Sequence, residues 1–146
     1  MTDAVTPNSS QSPALVTTTS ISAEAALGVA QAGVRAGRGR NCDVAVAVVD
    51  RAGLLLLLLR TDGATEQFVE GAIQKAWTAL NLRTSTRDAF ATIQQGHQDN
   101  SQLPFIPRSL VGSTVVGAIG AAGCVDGLDD DAVAQEAAEE FHRLAG

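Results

Sequence analysis

The sequence has few basic and few aromatic residues, and it therefore lacks the features of a nucleic-acid-binding surface. Only ten of its 146 residues are lysine or arginine, they form no run, and the formal net charge is −6. A phosphate backbone is bound by clustered positive charge. Aromatic residues make up 3 % of the chain and tyrosine is absent, so a platform on which bases could stack is not expected.

Long apolar runs are missing as well. The two longest, VAVAVV and LLLLLL, each have the length of a strand, about a third of a membrane-spanning helix. The N-terminal stretch MTDAVTPNSSQSPALVTTTS has neither the basic start nor the apolar core of a secretory signal. We therefore predict a cytoplasmic protein that does not bind membranes.

Cysteine is scarce, because Cys42 and Cys124 stand alone without the CxxC spacing of metal and redox sites. They can pair only if the fold brings them together, and we expect buried thiols. The sequence lacks a phosphate-binding loop and a nucleophile elbow, and we predict no metal site. Residues 1–19 are rich in Ser, Thr and Pro and are predicted to form a disordered tail, which leaves residues 20–146 as one domain.

The stretch that is present and organises the chain is residues 44–64, VAVAVVDRAGLLLLLLRTDGA. Asp50 and Gly53 bound a short segment between the two apolar runs, and these residue types are typical of tight turns. We predict a β-hairpin whose first strand has valine on one face and mainly alanine on the other. The second strand has leucine on both faces, so we expect the hairpin to lie centrally in a largely covered sheet.

Helices are predicted on both sides of this hairpin. The first, capped by Ser20 or Ser22, ends near residue 35, and the second runs over about residues 64–82 with Asp62 as its cap. A short third helix is expected near 85–95 and a final one near 130–144. The residues predicted to pack are Leu27, Ala30 and Val34 in the first helix, Ala72, Ile73, Ala76, Trp77, Ala79 and Leu80 in the second, and Val133, Ala137 and Phe141 in the last.

The C-terminal half adds two strands, one within residues 105–111 and one over residues 114–123. Gly117 and Gly120 lie inside the last strand, where a glycine marks a bulge or the close approach of another backbone or a ligand. The acidic residues 129–131 are interpreted as a solvated helix cap.

Three blocks of the sequence together resemble a known family. VVDRAGLLLLLLRTDGA, AIQKAWTALNLRTST and VVGAIGAAGCVDGLDDDAVAQEAA are similar, in order and spacing, to the GlcG/HbpS haem-binding family, also called PduO C-terminal-like, over about residues 20–145. The resemblance implies an α/β (α+β) fold, a profilin-like antiparallel sheet of four to five strands flanked by helices. It also implies a homo-oligomer and, in some members, bound haem. Residues 103–114 differ from the family's usual Gly-Gly-rich segment.

A ligand pocket is predicted where the second strand, the second helix and the 96–109 loop converge, because polar groups from three segments meet apolar surroundings there. The acid–base candidates are Asp62, Lys75 and His97, and the ligand-binding candidates are Arg60, Thr78, Arg83 and Arg108. Thr78 or His97 would face a haem iron, and arginine would meet its propionates. The alternative for Lys75 is a structural salt bridge to Asp62 or Glu66.

Three functions fit these residues. The first is a haem- or small-ligand-binding protein, as the resemblance implies. The second is a small cofactor-independent enzyme, an isomerase, cyclase or hydrolase, that acts on an organic metabolite by acid–base chemistry. The third is an assembly subunit without chemistry.

Overall fold

One antiparallel sheet lies at the centre of the fold. The computed structural model describes residues 13–83, 85, 88, 109–111, 115–124 and 127–146. In this part of the chain the strands are β1 (Ala45–Asp50), β2 (Leu55–Arg60), β3 (Ser109–Val111) and β4 (Val115–Ala122). Their order in the sheet is β2-β1-β4-β3, and every neighbouring pair is antiparallel.

Helices cover both faces of the sheet. They are α1 (Ala23–Gly39), α2 (Glu66–Leu82) and α3 (Gly127–Ala145). Helices α1 and α3 pack together against one face, and α2 packs against the other. The predicted α+β architecture, an antiparallel sheet flanked by helices, is confirmed, with four strands among the described residues.

The core has two layers, one on each side of the sheet, and alternate side chains of β1 point into one layer or the other. Val46 and Val48, with the preceding Val44, belong to the layer shared with α1 and α3. Ala45 and Ala47 belong to the layer shared with α2. Because successive side chains of a strand point to opposite faces, the sequence pattern VAVAV by itself sorts the larger residues into one layer and the smaller ones into the other.

The predicted hairpin and its turn chemistry are confirmed. The Asp50 carboxylate accepts hydrogen bonds from the backbone N–H groups of Ala52 (2.9 Å) and Leu54 (3.0 Å). Gly53 has a φ of 88°, a conformation that glycine adopts without a steric penalty. Asp50 therefore shapes the turn.

The predicted central position holds for β1 and is wrong for β2. Strand β2 lies at one end of the sheet order, and its leucines are half-buried or exposed, whereas β1 is buried almost throughout. Helices α1 and α2 cover only part of the two faces of β2, so its leucines stay partly exposed. Leucine on both faces of a strand therefore does not require a neighbour on both edges.

The helix limits differ from the predictions in instructive ways. Ser22 caps α1 through a bond from the Ala25 N–H to its hydroxyl (3.0 Å), as predicted, but the helix continues to Gly39. Ala30 and Val34 are buried, whereas Leu27 is 47 % exposed and is not part of the packed face. The N-cap of α2 is Thr65, so the prediction of Asp62 as its cap is wrong.

Helix α2 packs through its small residues. Ala72, Ala76 and Ala79 are fully buried, and Leu80 is nearly so. Trp77, predicted as a packing residue, is 56 % exposed. A methyl group at Gly120 of β4 would overlap the carbonyl of Ala72, which confirms the predicted close approach of another backbone.

Cys42 and Cys124 form a disulfide, contrary to the expectation of free thiols. Cys42 precedes β1 and Cys124 follows β4, and these two strands are antiparallel neighbours. The start of one strand therefore lies beside the end of the other, and the two Cα atoms are 5.1 Å apart. The expectation failed because the 82-residue separation between the two cysteines gives no local signal of this proximity.

Several predictions fall partly or wholly outside the described residues. Of the helix near 85–95, the Asp88 N–H donates to the Ser85 hydroxyl at 3.1 Å, as a cap would, and the rest is not described. The same holds for residues 96–108 and for residues 1–12 of the tail, so the disordered tail stays a prediction. Within the described part of the chain, no helix has both the length and the hydropathy needed to cross a membrane.

Candidate functional site

Lys75 is the most unusual polar residue of α2. It lies on the flank of the alanine stripe that faces the sheet, and it is only 8 % exposed. Its ammonium group donates to the carbonyl oxygen of Ala121 at 3.0 Å and to the Asp130 carboxylate at 3.3 Å. The buried amine therefore joins α2 to the end of β4 and to the first turns of α3.

Asp130 is the partner that the sequence analysis did not identify. The structure pairs Lys75 with this residue of α3, and the predicted partners Asp62 and Glu66 are both exposed. One carboxylate oxygen of Asp130 accepts the N–H of Cys124 at 2.8 Å, and the N–H of Gly123 also bonds to the carboxylate. Asp130 is 5 % exposed and Asp131 is 8 % exposed, so the interpretation of residues 129–131 as a solvated cap is wrong for two of its three members.

Burial shifts both members of this pair towards their neutral forms. Burial lowers the pKa of the Lys75 amine, and the attraction and hydrogen bond of Asp130 only partly oppose that shift. Burial likewise raises the pKa of the Asp130 carboxyl, against the opposing effects of Lys75 and of the Cys124 N–H. An amine and a carboxyl group in this arrangement can exchange a proton with each other.

The pair opens onto a cleft between α2 and the end of β4. Its volume is about 340 Å³, at the lower end of the range for small-molecule sites. Lys75, Asp130 and Glu70 supply its charges, one positive and two negative. The cleft is lined by Gln67, Phe68, Glu70, Gly71, Gln74, Lys75, Ala122, Gly123, Cys124 and Asp130.

The other predicted site residues do not converge on this cleft. The Arg60 guanidinium donates to the carbonyl oxygens of Thr61, Asp62 and Ala64 at 3.1, 3.2 and 3.3 Å. It thus holds the connection between β2 and α2 in shape, and the side chain of Asp62 faces solvent. Neither residue lines the cleft.

The remaining candidates lie further along the chain. Thr78 is buried on α2 at 8 % exposure and does not line the cleft. Arg83 is exposed and ends α2 in the left-handed conformation, with a φ of 55°. His97 and Arg108 lie outside the described residues.

No three metal-ligating side chains come together among the described residues. His142, in the last turn of α3, is exposed, and the two cysteines are joined to each other. The chemistry that the described residues offer is therefore that of the buried amine and carboxylate.

Comparison with known proteins gives one family. The family model described as haem-degrading protein HbpS-like matches residues 21–139. No curated protein sequence matches the chain.

Solved structures share the fold over nearly the whole chain. The Klebsiella pneumoniae protein ORFY is 27 % identical, with 91 % of this chain and 98 % of that chain covered and a TM-score of 0.80. A double mutant of Streptomyces reticuli HbpS is 31 % identical, with 94 % and 97 % covered and a TM-score of 0.78. A complex of PduOC with haem is 23 % identical, with 83 % and 94 % covered and a TM-score of 0.73, and it shows the fold alone.

Proposed function

Because the chain belongs to the HbpS-like family, whose model is described as haem-degrading protein HbpS-like, we propose that it binds haem or a related tetrapyrrole. The observation that carries this proposal is the family match, which begins at residue 21, two residues before α1, and ends at residue 139 within α3. A fold neighbour, PduOC, was solved as a haem complex, which is consistent with the proposal.

The cleft beside Lys75 does not fit haem. Its charges sum to −1, from one lysine against Asp130 and Glu70, and the lysine is already paired. Haem carries two propionates, which bind best to arginine. We therefore assign haem to the other predicted residues, with Thr78 or His97 towards the iron and Arg83 and Arg108 towards the propionates. When bound, haem would supply iron chemistry, and these residues would hold and orient it.

Titration with haemin tests this proposal. We expect a Soret band that saturates at one haemin per chain, loses intensity or shifts in His97→Ala or Thr78→Val, and requires more haemin in Arg108→Ala. Gln74→Ala serves as the matched control, because it changes an exposed polar residue of α2 outside the assigned set. Absence of a saturable Soret band in the full-length chain would contradict the proposal.

We also infer that the protein is a homo-oligomer. In the described part of the chain, β2 pairs along one edge only, and Leu54 and Trp77 are 68 % and 56 % exposed. Exposed large apolar residues near a free strand edge are typical of a surface that another chain covers. Light scattering at micromolar concentration should give at least twice the chain mass of 15.0 kDa, and a monomer mass would contradict the inference.

The cytoplasmic location stays a prediction, and the disulfide makes it testable. Disulfides are rare in reducing compartments. Alkylation of freshly lysed cells, followed by peptide mapping, should find Cys42 and Cys124 as alkylated thiols if the protein resides in the cytoplasm. Recovery of the intact disulfide would instead indicate an oxidising compartment.

A further inference from the structure

The basic residues of this chain divide sharply by type. Nine of the ten are arginine, and Lys75 is the single lysine. Arginine makes the surface ion pairs, such as Arg40 with Glu136 at 2.6 Å, where a permanent charge suffices. Among the basic residues that the structure describes, the one side chain whose amine can lose its proton is also the one that is buried.

The amine of Lys75 retains one proton that no described residue accepts. An ammonium group has three donors. The carbonyl of Ala121 and the carboxylate of Asp130 accept two of them, and Lys75 has no further partner among the described residues. Since Lys75 lines the cleft, its remaining donor site is available to a molecule there. As far as the described residues go, the third donor position of the nitrogen is thus left to a ligand.

The charges of the cleft define the chemical class of that ligand. Asp130 and Glu70 give it a net negative charge, which disfavours carboxylates and phosphates. A carbonyl oxygen accepts the free N–H without adding charge. Gln74 and Glu70 also line the cleft and can hydrogen-bond to a hydroxyl or amide group of the same ligand.

We propose that Lys75 is a nucleophilic amine that captures a small neutral aldehyde or ketone as a protonated imine, with Asp130 carrying the proton. This inference goes beyond haem binding and does not depend on it. A desolvated lysine is a recognised nucleophile for carbonyl carbons. The lowered pKa of the buried amine supports the same role.

The step balances with these two residues and water. Asp130 accepts a proton from the ammonium group, and the nitrogen lone pair attacks the carbonyl carbon. A C–N bond forms as the π bond of the carbonyl group breaks, and the carbonyl oxygen takes one proton from the attacking nitrogen to become the hydroxyl of a carbinolamine. Asp130 returns its proton to that hydroxyl, which leaves as water, and the product is a protonated C=N bond. No oxidant or reductant takes part.

Reductive trapping tests the proposal directly. The intact protein is incubated near neutral pH with propionaldehyde and cyanoborohydride, and peptide mapping by mass spectrometry locates the added propyl group. We expect Lys75 to be modified faster than an ordinary exposed lysine, because its lowered pKa leaves more of the amine unprotonated near neutral pH. The chain's α-amino group, on a different peptide, reports that the reagents are active.

The matched control moves the amine by one position. Gln74 also lines the cleft but is exposed, so the double variant Gln74→Lys/Lys75→Met carries an ordinary amine at the same place. Equal trapping in this variant and the natural chain would overturn the proposal. So would trapping of Lys75 only after unfolding in urea, since burial would then protect the amine instead of activating it.

Two further arms test the ligand class and the role of Asp130. Glyoxylate, an anionic aldehyde, should trap more slowly than propionaldehyde, and the reverse order would overturn the assignment to neutral ligands. In Asp130→Asn, with folding checked by circular dichroism, trapping should slow by about 100-fold and be partly restored by added acetate. An unchanged rate would overturn the proposal that Asp130 carries the proton. Haemin binding is unaffected in every outcome, so the two proposals fail separately.

Discussion

The two faces of the sheet are packed by different means. The sheet presents mainly valine and isoleucine on the face towards α1 and α3, including Val46, Val48 and Ile119. The face towards α2 is filled largely by alanine, and at Gly120 the two backbones approach so closely that no side chain fits. One layer is stabilised by the amount of apolar volume that it buries, and the other by the closeness of its backbones. The polar pair of Lys75 and Asp130 lies at the border of the tight layer.

The largest effect is expected from Gly120→Ala. Its new methyl group would overlap the carbonyl of Ala72, a backbone atom that cannot rotate away. We expect a loss of at least about 3 kcal/mol in the free energy of unfolding, measured by urea denaturation. Gly39→Ala, at the end of α1 with no atom near the added methyl, should change it by less than about 0.5 kcal/mol. Similar values for both variants would show that the α2 layer is not tight.

Lys75→Met should cost about 3 kcal/mol near neutral pH, because it leaves the Asp130 carboxylate buried without its cation. The pKa of Asp130 is already raised in the folded state. In the pH interval between its pKa in the unfolded chain and its higher pKa in the folded protein, the folded protein holds a proton that the unfolded chain has released. Stability therefore falls as pH rises through this interval. Removing Lys75 raises this pKa further and widens the interval.

The destabilisation by Lys75→Met should therefore shrink in acid, where the carboxyl is protonated in both states. Urea midpoints of the variant and the natural chain across the acid-to-neutral range measure this trend. The double variant Lys75→Met/Asp130→Asn should recover part of the loss at neutral pH. A pH-independent loss would mean that Asp130 is not the source of the effect.

Adjacent residues of β1 test the two layers within one strand. Val46→Ala removes volume from the layer of α1 and α3 and should cost about 2 kcal/mol. Ala47→Val adds volume to the α2 layer and should also cost about 2 kcal/mol, through overpacking. Urea unfolding measures both changes. A stabilising Ala47→Val would show that the α2 layer contains unfilled space.

The smallest effect is expected at the surface of α3. Arg143 pairs with Glu140 within the last turns of the helix, and both side chains are solvent-accessible. The hydrogen bond from Arg143 lowers the pKa of Glu140, but water and salt screen exposed pairs of this kind. Glu140→Gln should leave Tm unchanged within error by calorimetry. A clear fall in Tm would reveal a role for this pair in the packing of α3 on α1.

The features predicted correctly from the sequence are those that local chemistry decides. The hairpin follows from Asp50 and Gly53 and from the alternation of valine and alanine, all within one short segment. The resemblance of three sequence blocks to one family predicted the fold of the rest of the chain, and the family match over residues 21–139 confirms that resemblance.

The parts of the site that the sequence did not predict depend on distant contacts. Asp130 lies 55 residues from Lys75, and local spacing favoured Asp62 and Glu66 instead. The order of strands in the sheet likewise depends on a distant contact, because β1 pairs with β4 on its other side and leaves β2 at an edge. A signal was nevertheless present, since a chain with one lysine and a triplet of aspartates at a helix start suggests a pair.

The disulfide gives the oxidised chain the topology of a ring with two arms. The bond between Cys42 and Cys124 closes a ring that contains the whole sheet and α2, while α1 and α3 belong to the arms before and after it. Every buried residue of the α2 layer lies inside the ring. The layer of α1 and α3 forms only when both arms fold back onto the ring. The crosslink therefore limits the conformations open to the unfolded ring and leaves those of the arms free, so the arms are the segments that can detach first while the ring keeps its sheet.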